Sequence, residues 1–264
     1  MNLIINGALG QMGQEVIKLC TVGYRGARFV GGVDPGAQKN DTGAVFRTFD
    51  EIGNVSGIDC IIDFSHHEST GFLVSFAKKN ELPTVICTTG HTEDEISLIN
   101  SLSYVVPVFF SANMSLGVAL LVELAKTAAL AMPEAEIEII EKHHNRKIDS
   151  PSGTALMIAE ALCDVRPNAY TALGRSGQGK RTPDEIGIHA VRMGNIVGEH
   201  EVIIGTENQT ISLKHEAHSR ALFAEGALAA AEFIIGRDAG LYDMKSLVSG
   251  EVCLNKRNLI EETL

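Results

Sequence analysis

The amino-terminal stretch restricts the fold more than any other part of the chain. Leu3-Ile4-Ile5-Asn6 is an apolar run of strand length, and Gly7-Ala8-Leu9-Gly10-Gln11-Met12-Gly13 follows it without a gap. A helical pattern comes next, with Met12, Val16, Leu19 and Cys20 at spacings of three and four. Strand, glycine turn and helix together form the start of a βαβ unit, in which glycine lets the backbone turn sharply and approach a pyrophosphate at the helix's positive end. Gly10 and Gly13 match the last two glycines of G-x-G-x-x-G; the first falls at Ala8, with Gly7 one step earlier. The next strand-like run ends in Asp34, 21 residues after Gly13, where a carboxylate can accept hydrogen bonds from an adenosine ribose. A glycine-rich turn of some other α/β protein is the alternative.

Asp34 is followed by Pro35, where sites for a 2′-phosphate often carry an arginine. The expectation is therefore NADH, with Lys39 near enough in sequence to permit some use of NADPH.

Short β-rich runs at 59–63, 83–87 and 104–110 alternate with helix-like segments at 69–80 and 93–101. Such repetition predicts a parallel sheet with helices on both faces, whose ligands lie beyond the carboxyl ends of the strands. That places Phe64-Ser65, Cys87-Thr88-Thr89-Gly90 and Ser111-Ala112-Asn113-Met114 beside the cofactor.

After Met114 the pattern changes. A long apolar helix at 116–132, stopped by Pro133, precedes a partly alternating run at 135–140, a helix at 153–163 and three β-like runs at 187–193, 198–204 and 209–215. The runs read as a meander in an α+β domain with a mostly antiparallel or mixed sheet. A helix at 219–237 returns the chain to the first domain. The expected division is a dinucleotide-binding domain at 1–114, completed by 219–264, and a substrate-binding and oligomerisation domain at 115–218. A spare sheet face predicts a homo-oligomer, a homotetramer in particular.

Composition narrows the function. Five scattered cysteines without a C-x-x-C pair argue for reduced thiols and against a structural zinc site, and no metal is expected. The net charge of −11 and the absence of Trp disfavour nucleic-acid partners. No run is long enough to span a bilayer and the first residues lack signal-peptide character, so the expectation is a cytoplasmic protein without membrane contact.

In this acidic chain, Glu141-Lys142-His143-His144-Asn145-Arg146-Lys147 stands out, followed by Pro151-Ser152-Gly153-Thr154 at a helix start. If 143–147 make one turn, His143 and Lys147 share a face. Ser152, Gly153 and Thr154 offer backbone N–H groups and hydroxyls to a carboxylate. On chemistry alone the stretch is a catalytic or anion-binding site, a solvated basic loop or a metal site.

The pattern E-x-H-H-x-x-K-x-D-x-P-S-G-T-A at 141–155 closely resembles the signature of the dihydrodipicolinate reductases. So do G-x-x-G-x-M-G at 7–13, C-T-T-G at 87–90, S-A-N-M-S at 111–115 and G-L-Y-D-M at 240–244, which together span nearly the whole chain. Cys87 stands where that family commonly has glycine. The resemblance implies reduction of a cyclic imine dicarboxylate by NADH or NADPH in the diaminopimelate route to lysine. It implies His143 as proton donor or acceptor, Lys147 as accompanying donor, and His144, Gly153 and Thr154 as ligands of the substrate carboxylates. Another two-domain dehydrogenase and a non-enzymatic NADH sensor are the competing readings.

Overall fold

The computed structural model describes residues 1–38, 44–53 and 56–250; Lys39 and Cys253 lie outside the described residues. In chain order the elements are β1 (Asn2–Asn6), α1 (Gln11–Thr21), β2 (Arg28–Val33), β3 (Val45–Phe46), β4 (Cys60–Asp63), α2 (Thr70–Asn80), β5 (Thr84–Ile86), α3 (Glu93–Ser103) and β6 (Pro107–Phe110). Then follow α4 (Leu116–Ala131), β7 (Glu136–His143), α5 (Gly153–Cys163), β8 (Tyr170–Leu173), β9 (Glu185–Arg192), β10 (Gly198–Thr206) and β11 (Gln209–Ala217). The described chain ends with α6 (Ala221–Ile234), β12 (Gly240–Tyr242) and α7 (Met244–Ser249). It divides into two compact units: Met1–Ser115 with the segment from Ala221 onward, and Leu116–Arg220.

The first unit holds a seven-stranded sheet in the order β12-β6-β5-β4-β1-β2-β3, with every pair parallel. Its strands are near-continuous apolar runs because helices cover both faces. Side chains alternate, so Ile4, Ile61, Ile86 and Val108 face one way and pack with Leu73, Val74 and Ala77 of α2 and Ile99 and Leu102 of α3. On the other face Phe109 meets Phe233 of α6 edge to face, with ring centroids 6.3 Å apart. The sheet order reverses at β1, which lies between β2 and β4, and this reversal opens a crevice at the strands' carboxyl ends.

The second unit is built on a five-stranded sheet in the order β11-β10-β7-β9-β8. It is mixed rather than a meander: β10 is antiparallel to β7 and β11, whereas β9 is parallel to β7 and β8. One reason is α5, which carries the chain back across the sheet so that β8 enters in the direction of β7. Alternation along β7 turns Ile137 and Ile139 to a core shared with Ala125, Ala155, Ile158, Leu162 and Val202. Its opposite face carries polar contacts: Glu138 pairs with Arg181 and lies 2.9 Å from His189 Nε2, and Lys142 pairs with Glu199, which also binds Lys214.

α6 is rich in alanine because it is buried on nearly every side. At Gly226 a Cβ would lie 1.7 Å from the carbonyl oxygen of Met114, at the last turn of backbone before α4. Gly226→Ala should therefore destabilise the protein although alanine favours helix by about 1 kcal/mol. A clash with fixed backbone costs about 1–3 kcal/mol or more, which outweighs that gain, and thermal unfolding should show a melting temperature lower by about 2–4 °C or more. An unchanged or higher melting temperature would contradict this packing.

Candidate active site

In the first unit the glycine turn is held by contacts that exclude side chains. Gly7 has φ +78°, and a Cβ there would fall 2.5 Å from the carbonyl oxygen of Phe64, on the neighbouring β4 turn. A Cβ on Gly13 would lie 2.2 Å from the carbonyl oxygen of Gly7, so glycine lets the first turn of α1 rest on the loop. Gly10 caps α1 without a side chain. Ala8 is fully buried, Leu9, Gly10 and Gln11 are exposed, and Met12 is half-buried.

Asp34, at the end of β2, accepts hydrogen bonds from the backbone N–H of Leu9 at 3.0 Å and of Gly36 at 2.9 Å. It thereby ties the glycine turn to the next strand and lies half-buried beside a cleft of about 1000 Å³. Gly7, Gly10, Asp34, Arg47, Phe64 and Ser65 line that cleft. Arg47 is exposed and follows β3, in the position a sequence search beside Asp34 overlooks because β3 reaches the cleft from the next strand.

The other expected cofactor residues stand at the carboxyl ends of β5 and β6, outside the lining of this cleft. Cys87 and Thr88 are buried and Thr89 is exposed. Burial, followed by nearby Asp63, pushes the Cys87 thiol well up, so it stays protonated and serves as wall. Ser111, Ala112, Asn113 and Met114 form a turn in which the Ser111 hydroxyl donates to Asn113 O at 2.9 Å and Asn113 Oδ1 accepts from Ser115 N–H at 2.9 Å. Met114 is buried.

Beneath the glycine turn lies a polar group that the apolar runs conceal. Asp63 ends β4 at 1 % exposure, and its Oδ1 accepts from Asn6 Nδ2 at 2.7 Å and from the Ser65 hydroxyl at 2.5 Å. Burial raises this carboxyl against the lowering effect of those hydrogen bonds. Both Asn6 and Asp63 are last residues of strands, where chain direction brings them side by side in register.

In the second unit β7 continues to His143, so the basic stretch begins on a strand. Of the two forms open to 143–147, the chain takes the loop and not the helical turn: a tight turn at Asn145–Arg146 lets Lys147 N–H bond to His144 O at 3.2 Å. Strand geometry instead puts Glu141 and His143 on one face, two residues apart. Glu141 is 0 % exposed. Its Oε2 accepts from His143 Nδ1 at 2.6 Å and Arg192 Nη1 at 2.7 Å, and its Oε1 from Arg192 Nη2 at 2.7 Å and Ser152 N–H at 2.9 Å. Burial alone would raise this carboxyl, but the hydrogen bonds from Arg192 and His143 outweigh it and hold it below its ordinary value. Arg192 arrives from β9, whose register places it opposite His143.

Ser152 was expected to meet a substrate carboxylate directly. It is buried, its N–H is bound to Glu141, and its hydroxyl oxygen accepts from Ala155 N–H at 3.2 Å and lies 3.1 Å from His200 Nε2. Its polar atoms are thus engaged within the protein. Gly153 is exposed, with open space where a Cβ would stand, and Thr154 is half-buried in the first turn of α5.

His200, from β10, sits edge-on to His143 with ring centroids 5.2 Å apart. Burial and then the neighbouring His143 push it down to about 4. His144 is lowered by desolvation and by Arg146, His143, Arg220 and Lys147 in turn, a sign of how much positive charge gathers here. Lys147 pairs with Asp149 at 2.9 Å. Among the described residues, no group of three or more His, Cys, Asp or Glu is placed to hold a metal ion, and no helix is long and apolar enough to cross a membrane.

Sequence profiles described as the N-terminus and the C-terminus of dihydrodipicolinate reductase match residues 1–114 and 117–248. The chain is 46% identical over 253 residues to the 4-hydroxy-tetrahydrodipicolinate reductase of Caldanaerobacter subterraneus, covering 94% of this chain and 98% of that one. It is 40% identical over 252 residues to the enzyme of the same name from Clostridium novyi, again covering 94% and 98%. A solved structure of dipicolinate-bound dihydrodipicolinate reductase from Paenisporosarcina is similar in fold, with a TM-score of 0.78 at 24% identity over 92% of this chain and 97% of that one. A parallel nucleotide-type sheet joined to a mixed sheet, the motif around His143 and identity along almost the full length agree: this chain belongs to the dihydrodipicolinate reductase family.

Proposed function

We propose that this protein reduces 4-hydroxy-tetrahydrodipicolinate to tetrahydrodipicolinate with NADH or NADPH, as an oxidoreductase of the diaminopimelate route to lysine. The observation that carries this reading is the cluster of His143, His144 and Lys147 beside the start of α5, in a chain whose full length matches reductases of that name. A concentration of basic groups in an otherwise acidic chain suits a small dicarboxylate.

The glycine turn fits a dinucleotide. Gly7 and Gly13 occupy places where a Cβ would strike backbone, and the cleft joins that turn to Asp34. Gly7 to Gly13 would cradle the pyrophosphate, Asp34 the adenosine ribose, and Cys87, Thr88, Thr89 and Ser111 to Met114 the nicotinamide side. The bound nicotinamide supplies the hydride. His143 holds and delivers a proton through Nε2, beside which Gly198 places no side chain. Lys147, paired with Asp149, contributes a positive charge and a second donor. His144, Gly153 N–H and Thr154 hold substrate carboxylates, helped by the positive end of α5. Ser152 acts from behind, fixing Glu141 and His200. His200, pushed down to about 4, stays neutral at neutral pH.

In this reading the first unit binds the dinucleotide and the second binds substrate. The helix-free face of the second sheet serves as the contact of a homotetramer, and the protein works in the cytoplasm.

His143→Ala or Lys147→Ala should lower kcat about 100-fold or more, the scale of losing a general acid, with NADH affinity near normal. Unchanged turnover in both variants would remove these roles. Asp34 favours NADH, while Arg47 on the same cleft offers a cation to a 2′-phosphate. Steady-state rates with each cofactor should show Arg47→Ala raising KM for NADPH several-fold with little change for NADH; equal effects would exclude that contact.

His200 also predicts a pH signature. Its value is depressed in the folded protein from 6.5 to about 4, so the unfolded chain takes up the proton first as pH falls. Stability is then intact above about pH 6.5 and declines toward pH 4, by at most about 3 kcal/mol. Denaturant unfolding across that range should show the decline, and His200→Gln should flatten its upper part.

A further inference from the structure

Glu141 is an acceptor with no solvent, and each of its oxygens receives two hydrogen bonds. An ionised carboxylate has no proton to give, so the His143 nitrogen facing it at 2.6 Å must be the donor. We propose that Glu141 is a positioning residue that keeps a proton on Nδ1 of His143, leaving Nε2 as the nitrogen that exchanges a proton with substrate. This rests on reading His143 as the proton donor.

Three further contacts make the arrangement specific. Arg192 binds both carboxylate oxygens and also donates to Asp149 O at 2.7 Å, so the carboxylate cannot swing away from the imidazole. Ser152 N–H fixes Oε1 from the start of α5. His200 packs edge-on against His143, and Gly198 leaves room beside Nε2, where a Cβ would stand 3.2 Å away. A half-turn of the imidazole would exchange Nδ1 for a carbon and strip Glu141 of a partner, which burial makes costly. Glu141 therefore acts through His143 and need not touch substrate. The chain uses a buried carboxylate to choose the tautomer of a ring whose other nitrogen lies beside the bare backbone of Gly198.

Glu141→Gln tests this because it keeps shape and removes charge. The glutamine carbonyl is claimed by Ser152 N–H and one Arg192 nitrogen, which turns the amide N–H toward Nδ1 and drives the ring proton to Nε2. Full-length protein with 15N-labelled histidine, read by two-bond proton–nitrogen correlation and assigned with His143→Ala, reports the tautomer directly. The expected result is Nδ1–H in the parent at neutral pH. In Glu141→Gln the proton moves to Nε2 and kcat falls about 100-fold or more, the scale seen when a catalytic imidazole takes the wrong tautomer. KM for NADH should stay within about twofold, since the glycine turn is untouched.

An Nε2–H ring in the parent overturns the proposal, and that measurement stands even if the variant folds poorly. A tautomer change without loss of kcat, or a loss of kcat without a tautomer change, also overturns it. Full turnover in His143→Ala with an Nδ1–H parent ring would instead overturn the catalytic reading of His143. The two failures are therefore distinguishable.

Discussion

The second unit depends on one buried charge. Taking a carboxylate out of water is expensive, and removing a partner from a buried pair costs about 3–5 kcal/mol. Glu141 is tolerated because Arg192, His143 and Ser152 N–H satisfy it from β9, β7 and the head of α5 at once. The same satisfaction fixes where those three elements stand. The geometry around His143 thus follows from the need to solvate one anion with protein groups, and the imidazole's orientation is part of that solution.

The first unit shows the same logic with a weaker acid. Asp63 is buried under the glycine turn, and Asn6 and Ser65 supply the hydrogen bonds that water would otherwise make. Parallel strands deliver Asn6 and Asp63 side by side, and the absence of a Cβ at Gly7 lets the loop descend onto the Phe64 carbonyl. The dinucleotide-type turn is therefore supported from below by a polar layer at the strand ends. In both units the buried acid holds its neighbours by hydrogen bonds: Asp63 the Asn6 and Ser65 side chains, Glu141 the His143 ring.

Much of this was legible in the chain itself. Apolar runs ending in Asn6, Asp34 and Asp63, with helical periodicities between them, are enough to predict a parallel sheet, since only a sheet covered on both faces needs strands so uniformly apolar. The motif from Glu141 to Ala155 marked a second candidate site by its concentration of imidazole and cationic groups. Less legible were short, partly exposed strands such as β3, β8 and β12, which carry too few residues for a period to emerge. The parallel entry of β9 was also hidden, because alternation along a strand says nothing of the direction of its neighbour.

By itself the sequence determined which residues face a core and which chemical groups are available, because hydrophobic period and residue type are local properties. It could not show that Arg192, 51 residues on from Glu141, closes a clamp on it, or that His200 lies edge-on to His143. Nor could it show that Ser152 turns inward while Gly153 remains open. Those outcomes belong to tertiary structure, which brings strands from distant parts of the chain into one register and leaves each buried polar group to be satisfied by whatever arrives beside it.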